Sequence, residues 1–165
     1  MAGSELHTDR ASMLNPPPLV WIYCAKQARS GGESTFVDMA GVVEVLQKTQ
    51  PELLKTLCIR SSVCFGIGEL VAMTQLLSCD DRGRWVARFR FDRWGFYSPP
   101  LIEALPALRA LLREHTCVMR LKDGQSYLVQ NGRWLHGALP SVDGPRHIYR
   151  TMIYPKDASL ELGWA

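Results

Sequence analysis

The sequence predicts a mainly β protein with flanking helices, an α+β arrangement whose short strands suit a jelly-roll or distorted barrel. Three observations carry this. From Cys117 to Tyr154, short apolar runs follow one another with only tight turns between them. Residues Arg84 to Asp92 alternate, with Trp85, Ala87, Phe89 and Phe91 on one face and Arg84, Arg88, Arg90 and Asp92 on the other, the two-residue period of a half-buried strand. Helical spacing is confined to residues 41–57 and 101–114.

Taken in order, Leu19 to Ala25 is an apolar, β-branched and aromatic run after Pro16-Pro17-Pro18 and reads as a buried strand. Ser30-Gly31-Gly32 reads as a turn and Thr35 to Met39 as a second strand. Val42, Val45, Leu46, Leu53, Leu54 and Leu57 are the apolar positions of two short helices. Pro51 stands where the second begins, because proline suits a first helical turn. Ile59 to Phe65 and Leu70 to Leu77 are further strands, and Asp80-Asp81-Arg82-Gly83 turns the chain into Arg84 to Asp92. Ser98-Pro99-Pro100 starts a helix through Leu101 to Glu114, with a break or restart expected at Pro106. Strands at Cys117–Leu121, Gln125–Gln130, Arg133–Leu139 and His147–Tyr154 complete the reading, with Asp123-Gly124 and Asn131-Gly132 as turns.

Bulk composition narrows the class. A chain of 165 residues, 47% apolar and 21% charged, is expected to form one domain, residues 1–165, with a real core. A net charge of +3 argues against a dedicated polyanion binder. The longest apolar run is too short to span a bilayer, and Met1 to Arg10 contains no apolar signal segment. Five cysteines (Cys24, Cys58, Cys64, Cys79 and Cys117) form no C-x-x-C pair. They suit reduced thiols and a cytoplasmic location better than a disulfide framework or a zinc site.

The chemistry then rests on histidine and carboxylate. His7 and Asp9 are two apart, so in an extended segment both side chains leave one face. His136, within Arg133-Trp134-Leu135-His136-Gly137, is the best placed of the remaining histidines to join them. Two imidazoles and a carboxylate are the ligand set of a mononuclear non-haem Fe(II) oxygenase, which leaves positions for a chelating 2-oxo acid and O2. Each piece alone occurs often by chance. Arg146 and Arg150 share a face of the last strand. A planar guanidinium forks onto a carboxylate as lysine cannot, so one could grip the remote carboxylate of 2-oxoglutarate and the other an acidic group of the main substrate.

Leu6-His7-Thr8-Asp9, Asn15-Pro-Pro-Pro-Leu19 and Ser30-Gly-Gly-Glu-Ser-Thr-Phe-Val-Asp-Met39, followed by Asn131-Gly-Arg-Trp-Leu-His136 and Arg146-His-Ile-Tyr-Arg150, together resemble the taurine dioxygenase and clavaminate synthase family. The resemblance covers most of the chain in the right order. It implies a double-stranded β-helix (jelly-roll, cupin-like), with Fe(II) held by His7, Asp9 and His136. It also implies 2-oxoglutarate as co-substrate, its distal carboxylate on Arg146 with Ser34 beside it and Thr35 as the fallback. Arg150 matches a position that often meets the prime substrate. Asp9, rather than Gly or Ala, favours hydroxylation over halogenation. One departure stands out: members carry a substantial segment before the His-x-Asp motif, whereas His7 is almost at the start here. The fold is therefore expected to be shortened at the N-terminus, with a homodimer or a second subunit covering the exposed sheet edge.

The expected substrate is a small polar metabolite such as an amino acid or a derivative, met by Arg90, Asp92 and Arg150. Two competing readings are weaker. Arg82, Arg84, Arg88, Arg90 and Arg93 interleave with Trp85, Phe89, Phe91 and Trp94 as in a base-stacking platform, but apolar and basic residues fall on opposite faces. The other reading is a non-catalytic remnant of the same fold that binds metal or a partner.

Overall fold

A computed structural model describes residues 3–67, 70–156 and Trp164. Strands β1 (Ser4–His7), β2 (Leu19–Lys26), β3 (Ser30–Gly31) and β4 (Ser34–Asp38) precede helices α1 (Met39–Thr49) and α2 (Pro51–Leu57). Strands β5 (Val63–Ile67), β6 (Leu70–Thr74), β7 (Leu77–Cys79), β8 (Trp85–Ala87) and β9 (Gly95–Tyr97) lead to α3 (Pro99–Glu114). Strands β10 (Cys117–Met119), β11 (Ser126–Gln130), β12 (Trp134–Ala138), β13 (Ser141–Asp143) and β14 (His147–Ile153) follow.

Two antiparallel sheets position everything else. One has the order β1-β12-β4-β10 and the other β11-β2-β14. Because side chains alternate along a strand, the first sheet has two different faces. Val37 and Leu135 join a core built with Val42, Leu46, Leu101 and Leu108 from the helices. Phe36, on the opposite face, packs with Val20, Ile22, Cys24 and Val129 of the second sheet. Ser34 and His136 share the parity of Phe36 and so face the space between the sheets.

Helix α1 starts where Asp38 accepts a hydrogen bond from the Ala40 amide at 3.1 Å, satisfying a donor the helix leaves unpaired. Arg133 forks onto the same carboxylate with two bonds of 2.7 Å. The start of the helix is thereby tied to β12, the strand that carries His136. Pro51 begins α2, as its spacing predicted.

Several expectations are corrected. Helix α3 runs unbroken through Pro106. The lost amide bond costs a few kcal/mol (about 3), and burial of Leu101, Leu108, Leu111 and Leu112 offsets it. The strand expected from Ile59 begins only at Val63, because Ser61 adopts a left-handed backbone with φ 54°. Leu70 to Leu77 divides into β6 and β7.

The alternating run from Arg84 pairs as a ladder only over Trp85–Ala87. From Ala87 on, its amides change partner at every residue: Ala87 to Gly132, Arg88 to Leu76 and Phe89 to the Thr8 hydroxyl. Its apolar side is core, with Ala87 and Phe89 fully buried, so no stacking platform forms there. Arg88 leaves the solvated face as well. Its Nε donates to the Ala11 carbonyl at 2.8 Å, and burial pulls its pKa down to about 10.

Ser30-Gly31 pairs with β13, while Gly31 and Gly32 both supply the positive φ of the expected turn. All five cysteines are free. Among the described residues, no helix is long and apolar enough to cross a membrane.

Candidate metal centre and adjoining cavities

The register of β1 against β12 places His7 directly opposite His136. Cross-strand partners share a face, and the two imidazole centroids lie 4.8 Å apart. Asp9 follows just beyond β1. Its Oδ2 lies 3.2 Å from His136 Nε2 and its Oδ1 3.6 Å from His7 Nε2. One ligand atom from each of the three residues falls within 4.8 Å of the others.

Tautomers follow from the backbone. His7 Nδ1 donates to the Glu5 carbonyl at 2.8 Å, and His136 Nδ1 is directed at the Trp134 carbonyl at 3.4 Å. A nitrogen that donates to a carbonyl carries the proton, which leaves both Nε2 lone pairs for a cation. Burial pushes the Asp9 carboxyl up, but its close contacts with His136 and His7 and the charge of Arg150 outweigh it. The group is held well below the usual carboxylate range. An ionised carboxylate beside two neutral imidazole nitrogens is a donor set that fits a divalent transition metal with positions left open.

Three residues that sequence reasoning did not single out hold this triad. Asn131, fully buried, accepts from the Asp9 amide at 2.8 Å and donates to the Asp9 carbonyl at 3.0 Å and the Pro17 carbonyl at 2.8 Å. Its sequence signal, Asn-Gly, reads as a turn and conceals this work. Thr8, between the two N-terminal candidates, is 2% exposed. Its amide donates to the Phe89 carbonyl at 2.8 Å and its hydroxyl accepts from the Phe89 amide at 3.1 Å. At Gly137 a Cβ would lie 2.6 Å from the Ser4 carbonyl oxygen, so glycine lets β1 lie close against β12 beside the triad.

Behind His136 lies a cavity of about 300 Å³ lined by Ser34, Tyr127, Arg146 and Arg150 among others. Arg146 donates to the Ser34 hydroxyl at 3.1 Å, and Tyr127 reaches the same oxygen at 3.5 Å. The Arg146 Nε is buried with no partner among the described residues, although an arginine normally finds an acceptor when buried. This orphaned donor beside an open cavity fits the carboxylate of a small acid. Arg120 braces the loop that leads to Ser34, donating to the Gly31, Ala28 and Arg29 carbonyls and pairing with Glu33. Thr35 is corrected: it lies on the other face of β4, its hydroxyl near Gly137, and does not line the cavity.

On the other side of the triad, a cleft of about 760 Å³ is lined by His7, Asp9, Arg10, Arg90, Asp92 and Arg150 among others. Arg150 donates to Asp9 Oδ1 at 2.5 Å, so it braces a candidate ligand as well as facing both spaces. Arg90 pairs with Asp92 at 2.7 Å.

Residues 1–152 match the taurine catabolism dioxygenase TauD, TfdA family. The chain belongs to this family. The resemblance stated from the motifs is thereby shown. A curated relative, gamma-butyrobetaine dioxygenase from Homo sapiens, is 27% identical over 151 residues, which is 81% of this chain and 38% of that protein.

Solved structures share the fold. PvcB from Pseudomonas aeruginosa superposes with a TM-score of 0.72 at 20% identity, covering 99% of this chain and 60% of that one. An asparagine oxygenase in complex with Fe(II), 2S,3S-3-hydroxyasparagine and succinate gives 0.68 at 16% identity, covering 96% and 47%. The non-heme iron oxygenase OrfP with Fe and alpha-ketoglutaric acid gives 0.70 at 14%, covering 90% and 48%. The two facing sheets are therefore the double-stranded β-helix expected. The chain spans between about two fifths and three fifths of the length of these relatives.

Proposed function

We propose that this chain is an Fe(II)- and 2-oxoglutarate-dependent dioxygenase that hydroxylates a C–H bond of a small polar metabolite such as an amino acid or a derivative. One observation carries the reading: His7 Nε2, Asp9 and His136 Nε2 converge between two cavities, one of which ends in a buried, unpartnered Arg146 nitrogen. Support also comes from the family, and from neighbours of the same fold bound to Fe(II), succinate and hydroxylated amino acids.

His7, Asp9 and His136 would hold the metal, and Arg146 with Ser34 the far carboxylate of 2-oxoglutarate. When bound, iron supplies oxidative decarboxylation of 2-oxoglutarate by O2, giving succinate and CO2, with the second oxygen atom entering the substrate as hydroxyl. The chain's own contribution is positioning. Asn131 fixes the backbone of Asp9 and Thr8 that of the residue before it, and Arg150 fixes the Asp9 carboxylate. The Nδ1 bonds of His7 and His136 set the tautomers. Tyr127 and Ser34 close the rear cavity.

The prime substrate enters from the larger cleft, where Arg90 and Asp92 meet its polar groups. Its partner is thus a small molecule. A second copy, or a second subunit, lies along β1, which is an edge strand of its sheet. A sedimentation profile of a lone monomer at micromolar concentration would contradict this last element.

The test is aerobic succinate release from the purified chain with Fe(II), 2-oxoglutarate and ascorbate. Wild type releases succinate, whereas H136A binds no Fe(II) and releases none. Bound Fe(II) without succinate from any condition would instead favour a non-catalytic remnant. Mass spectrometry of metabolite pools then identifies the substrate by a gain of one oxygen.

A further inference from the structure

The larger cleft carries a charge pattern that the triad and the rear cavity leave unexplained. Arg150 is engaged with Asp9 at 2.5 Å and Arg90 with Asp92 at 2.7 Å. Glu5, also on the wall, meets Arg109 at 3.5 Å. Arg10 differs from all of these. Among the described residues it has no carboxylate partner, and its Nε bonds only the Met152 sulfur at 3.4 Å, a weak acceptor.

The backbone at Arg10 is a second, separate observation. Its φ is 56°, a left-handed value found among the described non-glycine residues only here and at Ser61. A residue with a Cβ rarely adopts it, and it persists where surrounding contacts over-determine the chain. Those contacts are visible. Asn131 clamps Asp9 on one side through both its amide and its carbonyl, and on the other Arg88 Nε binds the Ala11 carbonyl at 2.8 Å. The chain is pinned on each side of Arg10, which lines the cleft next to the candidate ligand Asp9.

We propose that Arg10 is the residue that takes a carboxylate of the prime substrate and so determines specificity. This rests on the cleft being the substrate side of the metal centre, as read above. The complementary group is Asp92. Its Oδ1 accepts from Arg90 Nε at 2.7 Å and from the Trp94 amide at 3.0 Å, while Oδ2 has no bond to any described residue. One guanidinium and one carboxylate oxygen without partners among the described residues, both lining the cleft, fit a zwitterion, that is, an α-amino acid or a close derivative with both groups free. A guanidinium forks onto a carboxylate, whereas an ammonium offers a point charge. Lysine at this position should therefore keep only part of the effect.

The experiment uses Co(II) as an unreactive reporter of the metal centre. Wild type, R10K and R10Q are loaded with Co(II) and 2-oxoglutarate. The twenty common L-amino acids and their α-carboxamides are titrated against each, with the visible Co(II) bands and calorimetry as readouts. At least one amino acid should bind wild type about 10- to 100-fold more tightly than its amide, the range for a charge-assisted hydrogen bond. R10Q should lose that preference with amide affinity unchanged, and R10K should fall between.

If R10Q does not fold, the amide comparison on wild type and R10K still decides. No preference for carboxylate over amide in wild type, or a preference that survives intact in the Arg10 variants, overturns the assignment while leaving the metal centre standing. Failure of wild type to bind Co(II) at all removes the metal centre and this assignment with it.

Discussion

The rear cavity and the front cleft share His7 and Arg150 yet differ in how their charges are paired and buried. In the rear cavity of about 300 Å³, Arg146 has no carboxylate partner among the described residues, and its Nε is buried and unbonded to any of them. In the front cleft of about 760 Å³, Arg150 and Arg90 already have aspartates of their own. A half-buried guanidinium with an unbonded, buried nitrogen gains from an acidic ligand in the rear cavity. Of the three arginines that line the cleft, Arg10 alone has no carboxylate partner among the described residues, and it is exposed to solvent. On the proposed reading, the constant co-substrate and the variable substrate occupy the spaces with the matching electrostatics.

This contrast can be broken. The largest expected effect is R146Q, which should raise the KM for 2-oxoglutarate by about 10- to 100-fold, as for loss of a charge-assisted bond. Binding of the prime substrate in the front cleft should hardly change. An equal loss in both spaces, measured by separate titrations of each ligand, would erase the distinction drawn above.

The reciprocal change is D92N, expected to raise the KM of an ammonium-bearing substrate about tenfold while the 2-oxoglutarate KM stays put. Kinetics indistinguishable from wild type would remove Asp92 from the substrate wall. S34A sharpens the picture on a smaller scale. It removes a neutral hydroxyl from Arg146, so a 2-oxoglutarate KM raised by about 2- to 10-fold is expected, with Fe(II) affinity unchanged.

A last comparison sets both spaces against a purely structural pair. Burial raises the Asp38 pKa, but the Arg133 fork, the Ala40 amide and the Arg133 charge outweigh it and leave the carboxyl below its ordinary 3.8. A carboxyl depressed in the folded state stabilises fully above the unfolded value, and that stability is lost as pH falls through the folded value. D38N should therefore lower the thermal midpoint at neutral pH by a few degrees. The gap to wild type should close as pH drops below about 4. A gap that is constant with pH would mean that the ion pair contributes nothing. With side chains 35% and 30% exposed, solvent screening keeps the effect modest.

Much of the architecture was legible because period and punctuation agree in this chain. The Leu19 run, the two helices meeting at Pro51 and the closely spaced strands after Cys117 all appear within a few residues of where alternation and turn residues put them. The parts that were not legible have physical causes. Gly95–Tyr97 and Ser141–Asp143 are too short to show a period. The Arg84 run alternates cleanly, yet its backbone partners come from three distant segments. Helix α3 runs through Pro106 because core packing outweighs one missing bond. At the site, the histidines, the aspartate and the arginines were visible by residue type and spacing. Asn131, Thr8 and Tyr127 were not, since their work is done through hydrogen bonds to residues far along the chain.

By itself, the sequence determined the chemistry on offer: two imidazoles, an aspartate, a pair of strand arginines and strands of the right period to carry them. Composition and local spacing suffice for that, because side-chain type and strand parity are local properties. Only the tertiary structure decided which groups meet. Register across β1 and β12 brings His7 opposite His136 over a long loop of chain, and pleating sends Ser34 rather than Thr35 toward Arg146. It also decided which charges find carboxylate partners among the described residues and which do not, Arg146 and Arg10 among the latter. Pairing is a matter of distance in space, which local spacing does not contain.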